Sequence, residues 1–77
     1  MNLMELKDSI LKNESISQDA YSLNGGLPNE ALCISFTNEK WEVYYSEKGN
    51  KTSLKMFKDE SEACGYFYNK LRKMLHL

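Results

Sequence analysis

The chain alternates between two hydrophobic periods. Leu3, Leu6 and Ile10 recur at helical spacing, with Met4 and Leu11 beside them, which predicts a helix over residues 3–12. Asn2 precedes the run and Glu5 stands three positions later, the arrangement of a capping box. From residue 20 the period drops to two. Ala20–Leu23 is a short, weak alternation. Leu32, Ile34 and Phe36 alternate with Cys33 and Ser35. Trp41, Val43 and Tyr45 alternate with Glu42 and Tyr44, and Leu54 and Met56 with Ser53 and Lys55. Turn-forming residues separate these runs at 24–29 (Asn-Gly-Gly-Leu-Pro-Asn), 37–40 and 46–51. The helical period then returns: Ala63, Phe67, Leu71, Met74 and Leu75 share a stripe, with Cys64 and Tyr68 at its edge. Asp59 stands where a cap is needed and Glu62 three residues later; acids fill the first turns and Lys70, Arg72 and Lys73 the last, matching the helix dipole.

Short connections between successive strands favour an antiparallel meander, because parallel strands need long crossovers. The expected fold is therefore α+β: an antiparallel sheet of three to four strands, with an N-terminal and a C-terminal helix packed on one face. Alternation places Leu32, Ile34, Phe36, Trp41, Val43 and Tyr45 toward the helices. It leaves Ser35, Glu42, Tyr44, Ser53 and Lys55 on an open face. Gly65, unfavourable inside a helix, is read as a close approach to the sheet near Trp41.

Length and charge narrow the function. A chain of 77 residues and 9.0 kDa buries about 63% of its unfolded surface on folding, which suits one domain, residues 1–77. Net charge is -1, without the basic field of a non-specific nucleic-acid binder. No apolar run approaches the ~20 residues of a membrane span, and the first ten residues do not read as a secretory signal. A cytoplasmic protein with neither nucleic acid nor membrane as partner is expected.

The chemistry-bearing residues are sparse. Cys33 and Cys64 lie 31 positions apart and His76 is the one histidine, so local zinc-ligand spacing is absent. Both cysteines read as buried, reduced small hydrophobes, and His76 as a polar group at a helix C-terminus. Phosphate-loop, dinucleotide, zinc-protease and nucleophile-elbow patterns do not occur. Gly25-Gly26 leads into a proline turn and a strand rather than a helix. Glu39, Glu42 and Glu47 fall on different faces and turns of one hairpin. No cofactor and no enzymatic activity are expected.

Three segments carry a resemblance. Ser17–Glu30 is similar to an x-x-D-A-Y-S-L-x-G-G-x-P-x-E opening. Trp41–Gly49 resembles W-x-V-Y-Y-S-E-R-G, with Lys48 in place of the arginine. Phe57–Cys64 resembles an F-x-x-E-x-E-A-C lead-in to the last helix. Together, over about residues 17–71, they resemble a family of small bacterial immunity-type proteins that accompany polymorphic toxins. The resemblance implies neutralisation of a toxin by direct binding. On this reading Glu42, Tyr44, Glu47 and Lys48 are the expected partner contacts: carboxylates imitating phosphate beside an exposed aromatic anchor. The alternative expectation is a small regulatory or scaffold domain that homodimerises through its sheet.

Overall fold

The computed structural model describes all 77 residues. The chain runs α1 (Leu3–Leu11), a 3-10 turn (Gln18–Ala20), β1 (Tyr21–Ser22), β2 (Ala31–Thr37), β3 (Lys40–Glu47), β4 (Asn50–Phe57) and α2 (Glu60–Met74). It is an α+β domain with a four-stranded sheet in the order β1-β2-β3-β4.

Both helices start as their caps dictate. The Glu5 N–H donates to Asn2 Oδ1 at 2.8 Å, and the Asn2 N–H donates to Glu5 Oε1 at 2.9 Å. At α2 the Asp59 carboxylate accepts from the Ser61 N–H at 2.9 Å. Glu62 makes no return bond; Glu60 instead reaches across the fold to accept from the Leu3 N–H at 2.9 Å. The beginnings of the two helices are thereby tied together. At the other end of α2, His76 adopts a left-handed φ of 58°. The N–H groups of His76 and Leu77 donate to the carbonyls of Lys73 and Arg72. This is a Schellman closure made by backbone, with histidine where glycine is usual.

Leu6, Ile10, Ile16, Leu32, Ile34, Val43, Ala63, Cys64, Phe67 and Leu71 form one apolar cluster. α2 packs across β2, β3 and β4, and α1 packs beside α2. Trp41 and Tyr21 border the cluster. Phe36 sets its ring against Trp41 in a tilted contact, with centroids 5.0 Å apart, but is 58% exposed and not part of the core. Met4, Leu11 and Met74 also stay outside the core. A Cβ on Gly65 would meet nothing within 4 Å, so the expected close approach to the sheet is absent. No helix is long and apolar enough to cross a membrane.

The sheet departs from a pure meander in two places. First, β1 pairs with β2 in parallel, Tyr21 opposite Leu32 and Ser22 opposite Cys33. The Asn-Gly-Gly-Leu-Pro-Asn segment is not a hairpin turn. It continues beside β2 as far as Gly25, whose N–H donates to the Ile34 carbonyl at 3.0 Å. It then folds over the sheet and returns to Ala31. Gly25 and Gly26, at φ 69° and 83°, permit that reversal. Second, β4 carries a bulge. The turn Lys48-Gly49, both at positive φ, joins Glu47 to Asn50 in direct register, as a two-residue hairpin loop does. Undisturbed, that register would set Leu54 opposite Val43. Instead Tyr45 faces Thr52 while Val43 faces Lys55. One extra residue is absorbed at Ser53–Leu54, where Ser53 takes φ 54°.

A one-residue shift exchanges the faces of everything beyond it. Lys55, expected on the open face, therefore points to the helix side, its Nζ 5.3 Å from the centre of the Tyr66 ring. Phe57 comes to that side too, its ring 5.2 Å from Tyr66. Leu54 and Met56 move to the opposite face, 46% and 53% exposed.

Candidate functional site

The face of the sheet away from the helices carries Ala31, Cys33 and Ser35 from β2, Glu42, Tyr44 and Ser46 from β3, and Lys51, Leu54 and Met56 from β4. Alternation leaves this face to be covered by something other than a helix, and half of it is covered. The 25–26 segment lies so close that a Cβ on Gly25 would sit 2.8 Å from Ser35 Cβ and 3.4 Å from the Tyr44 hydroxyl. The Tyr44 hydroxyl donates to the Gly26 carbonyl at 2.7 Å, and the Ser22 hydroxyl donates to the Gly25 carbonyl at 2.8 Å. Ala31, Cys33 and Ser46 are fully buried beneath or beside this cover.

Tyr44 is therefore not an exposed recognition platform: it is 1% exposed. Burial, then the neighbouring Cys33 and Glu42, push its phenol up to about 12. Burial likewise raises the Cys33 and Cys64 thiols, which keeps them protonated and poor nucleophiles at neutral pH. The Ser46 hydroxyl is buried without a hydrogen-bond partner. Glu42 is also largely covered, at 7%; Lys51 lies over it with Nζ 3.8 Å from Oε1 and 4.6 Å from the centre of the Tyr44 ring.

The four residues expected to meet a partner thus separate. Glu42 and Tyr44 belong to the covered face. Glu47 is half-buried at the end of β3, with its side chain directed to the opposite face, and Lys48 is exposed at the hairpin tip. Five strand positions put Glu42 and Glu47 about 17 Å apart along the backbone. The two carboxylates do not converge, and the phosphate-like pair with an aromatic anchor is not assembled.

What the structure does bring together lies at β4. This eight-residue strand is hydrogen-bonded to β3 on one side only. Leu54 and Met56 project from its outer face and Lys55 from its helix side. Beyond Lys55, Tyr66, Asn69, Lys70 and Lys73 line a shallow cleft of about 400 Å³. Lys70 Nζ approaches the Tyr66 hydroxyl at 3.5 Å. The pairing of apolar Leu54 and Met56 with core-like alternation concealed this surface in the sequence. The signal present was compositional: Lys48, Lys51, Lys55 and Lys58 crowd the strand and its ends, and residues 48–58 contain no acid. A second cleft, about 520 Å³, lies between α1 and β1 with Met4, Lys7, Tyr21 and Leu23 on its walls. No three His, Cys, Asp or Glu side chains converge as a metal site.

Fold and surface define a small α+β domain with one sheet face under helices, the other partly under a glycine loop, and a basic strand at its edge. Comparison with known protein families, curated proteins and solved structures finds no match.

Proposed function

We propose that this chain is a non-enzymatic binding protein of the immunity type, which neutralises a bacterial toxin by covering its active surface. The observation that carries the reading is β4: a long strand with one side of its ladder unpaired and two apolar side chains in solvent. The lysines and the bulge on this edge discourage indiscriminate strand pairing, and leave it open to a partner whose side chains answer them. The three motif segments noted above point to the toxin-neutralising biology. They also take on structural meaning here. The Gly-Gly segment forms the loop over Tyr44, the Trp41–Gly49 segment forms β3 and its turn, and Phe57–Cys64 forms the passage from β4 into α2.

The contact surface proposed here is β4 rather than the hairpin expected from sequence. Glu42 lies against Lys51, and Glu42→Lys would set two ammonium groups together on a nearly covered face. Reversing Glu42 and Glu47 would therefore disturb folding as well as binding. The test is co-expression with the product of the adjacent gene. Restored growth, together with a complex of the two purified proteins, is the expected result. Absence of both protection and complex formation would overturn the reading. Concentration-dependent dimerisation without a heterologous partner would favour the homodimerising scaffold, although β4 carries no acid with which to pair its own lysines.

A further inference from the structure

We propose that the partner contributes an extended segment that adds to β4 as a fifth strand, and that this segment alternates acidic with apolar residues. The inference rests on the binding reading above and specifies its surface and chemistry.

The free edge of β4 supplies N–H and C=O groups for a new ladder, and such pairing is indifferent to side-chain identity. Selectivity comes from the two faces. Residues directly opposite one another on neighbouring strands share a face and lie about 5 Å apart. A residue opposite Lys55 would stand on the helix side, beside Tyr66. Lys55 Nζ and Lys70 Nζ lie 5.3 and 5.6 Å from the centre of that one ring, and Lys73 lines the same cleft. None of these three ammonium groups has a carboxylate within 4.0 Å; the only ion pair in the protein is Lys51–Glu42. The acid of the same helix face, Glu62, stands one turn before Tyr66 and pairs with none of them. An acidic side chain on the added strand would complete this side.

Opposite Leu54 and Met56, on the other face, the added strand would present apolar side chains. The bulge at Ser53 creates this division, because it turns Lys55 toward the helix and Leu54 and Met56 away from it. The three positions 54–56 therefore read apolar, basic, apolar, and their complement is apolar, acidic, apolar. A second copy of β4 lacks this complement, since the strand carries no acid to set opposite Lys55 in any register.

The probe is a short fluorescein-labelled peptide alternating valine and glutamate, titrated with the intact chain by fluorescence anisotropy. It should bind at least about tenfold more tightly than the same peptide with lysine for glutamate. A proline at its centre, which removes a ladder donor, should abolish binding. Bound peptide should slow amide exchange over residues 52–57. The double variant K55E/K70E should invert the preference in favour of the lysine peptide. Equal binding of the two peptides, insensitivity to proline, or protection elsewhere would overturn the inference without recourse to any variant. Self-association of the chain that excludes the peptide would overturn it in favour of a second copy. If the peptide fails while the adjacent gene product is bound, this inference falls and the binding reading stands. If the peptide binds and that product does not, the reverse holds.

Discussion

The two faces of the sheet are closed in different ways. The helix side is closed by apolar bulk: Phe67, Leu71, Leu6 and Ile10 fill the space above Leu32, Ile34 and Val43. The other side is closed by backbone proximity. There a glycine loop lies against Ser35 and accepts the Tyr44 hydroxyl, and its cover ends before β4. Bulk packing is tolerant in detail and large in total. A glycine loop contributes less in total but has no room for change. A small domain has surface to spare where its cover stops: the loop reaches β2 and β3, and the strand left over is the one proposed to bind.

The helix side is the more sensitive to truncation. Phe67→Ala should destabilise the fold by about 3–5 kcal/mol, a large share of the stability of a domain this size. Chemical denaturation measures it; a loss below about 1 kcal/mol would mean that Phe67 is not at the centre of the core. Next comes Gly25→Ala. It combines a left-handed φ with a Cβ pressed on Ser35 Cβ, a fixed part of β2, and should cost about 2 kcal/mol. A loss of only a few tenths would show that the loop does not lie on the sheet.

Tyr44→Phe keeps the ring and removes the bond to Gly26, for a loss of about 1 kcal/mol at neutral pH. It carries a pH signature as well. The folded phenol titrates near 12, above the unfolded value of about 10. The folded state therefore holds this proton more tightly. Its contribution is fully present below pH ~10 and is lost as pH rises toward 12. The gap in stability between the parent and Tyr44→Phe should narrow over that window, as read from denaturant midpoints. A constant gap would place the hydroxyl in solvent. The smallest effect concerns the bulge. Ser53→Gly relieves a left-handed serine and should stabilise by about 0.5–1 kcal/mol, provided the bulge sits at that position.

The two helices, the β2–β3 pairing and the helix-side core were legible because each rests on a local period with its own caps and turns. Leu32, Ile34, Val43, Phe67 and Leu71 lie where their spacing puts them. Three features were not legible, for separate reasons. The parallel β1 depends on the path of the 24–30 segment, and Gly-Gly followed by Leu-Pro suits a loop over a face as well as a hairpin. The burial of Tyr44 follows from that path, since alternation assigns a face and not its cover. The exposure of Leu54 and Met56 depends on one serine at positive φ, a conformation that serine does not announce. Of the expected contacts, only Glu47 and Lys48 keep substantial access to solvent, because Glu42 and Tyr44 are covered by partners distant in sequence or across the sheet.

The proposed binding site is β4 rather than the β3–β4 hairpin tip. Amide hydrogen exchange of the chain, measured alone and with the adjacent gene product bound, tests it directly. New protection is expected across residues 52–57, with little change at Glu47 and Lys48. Protection centred on the hairpin tip, with β4 exchanging as freely as in the isolated chain, would contradict it.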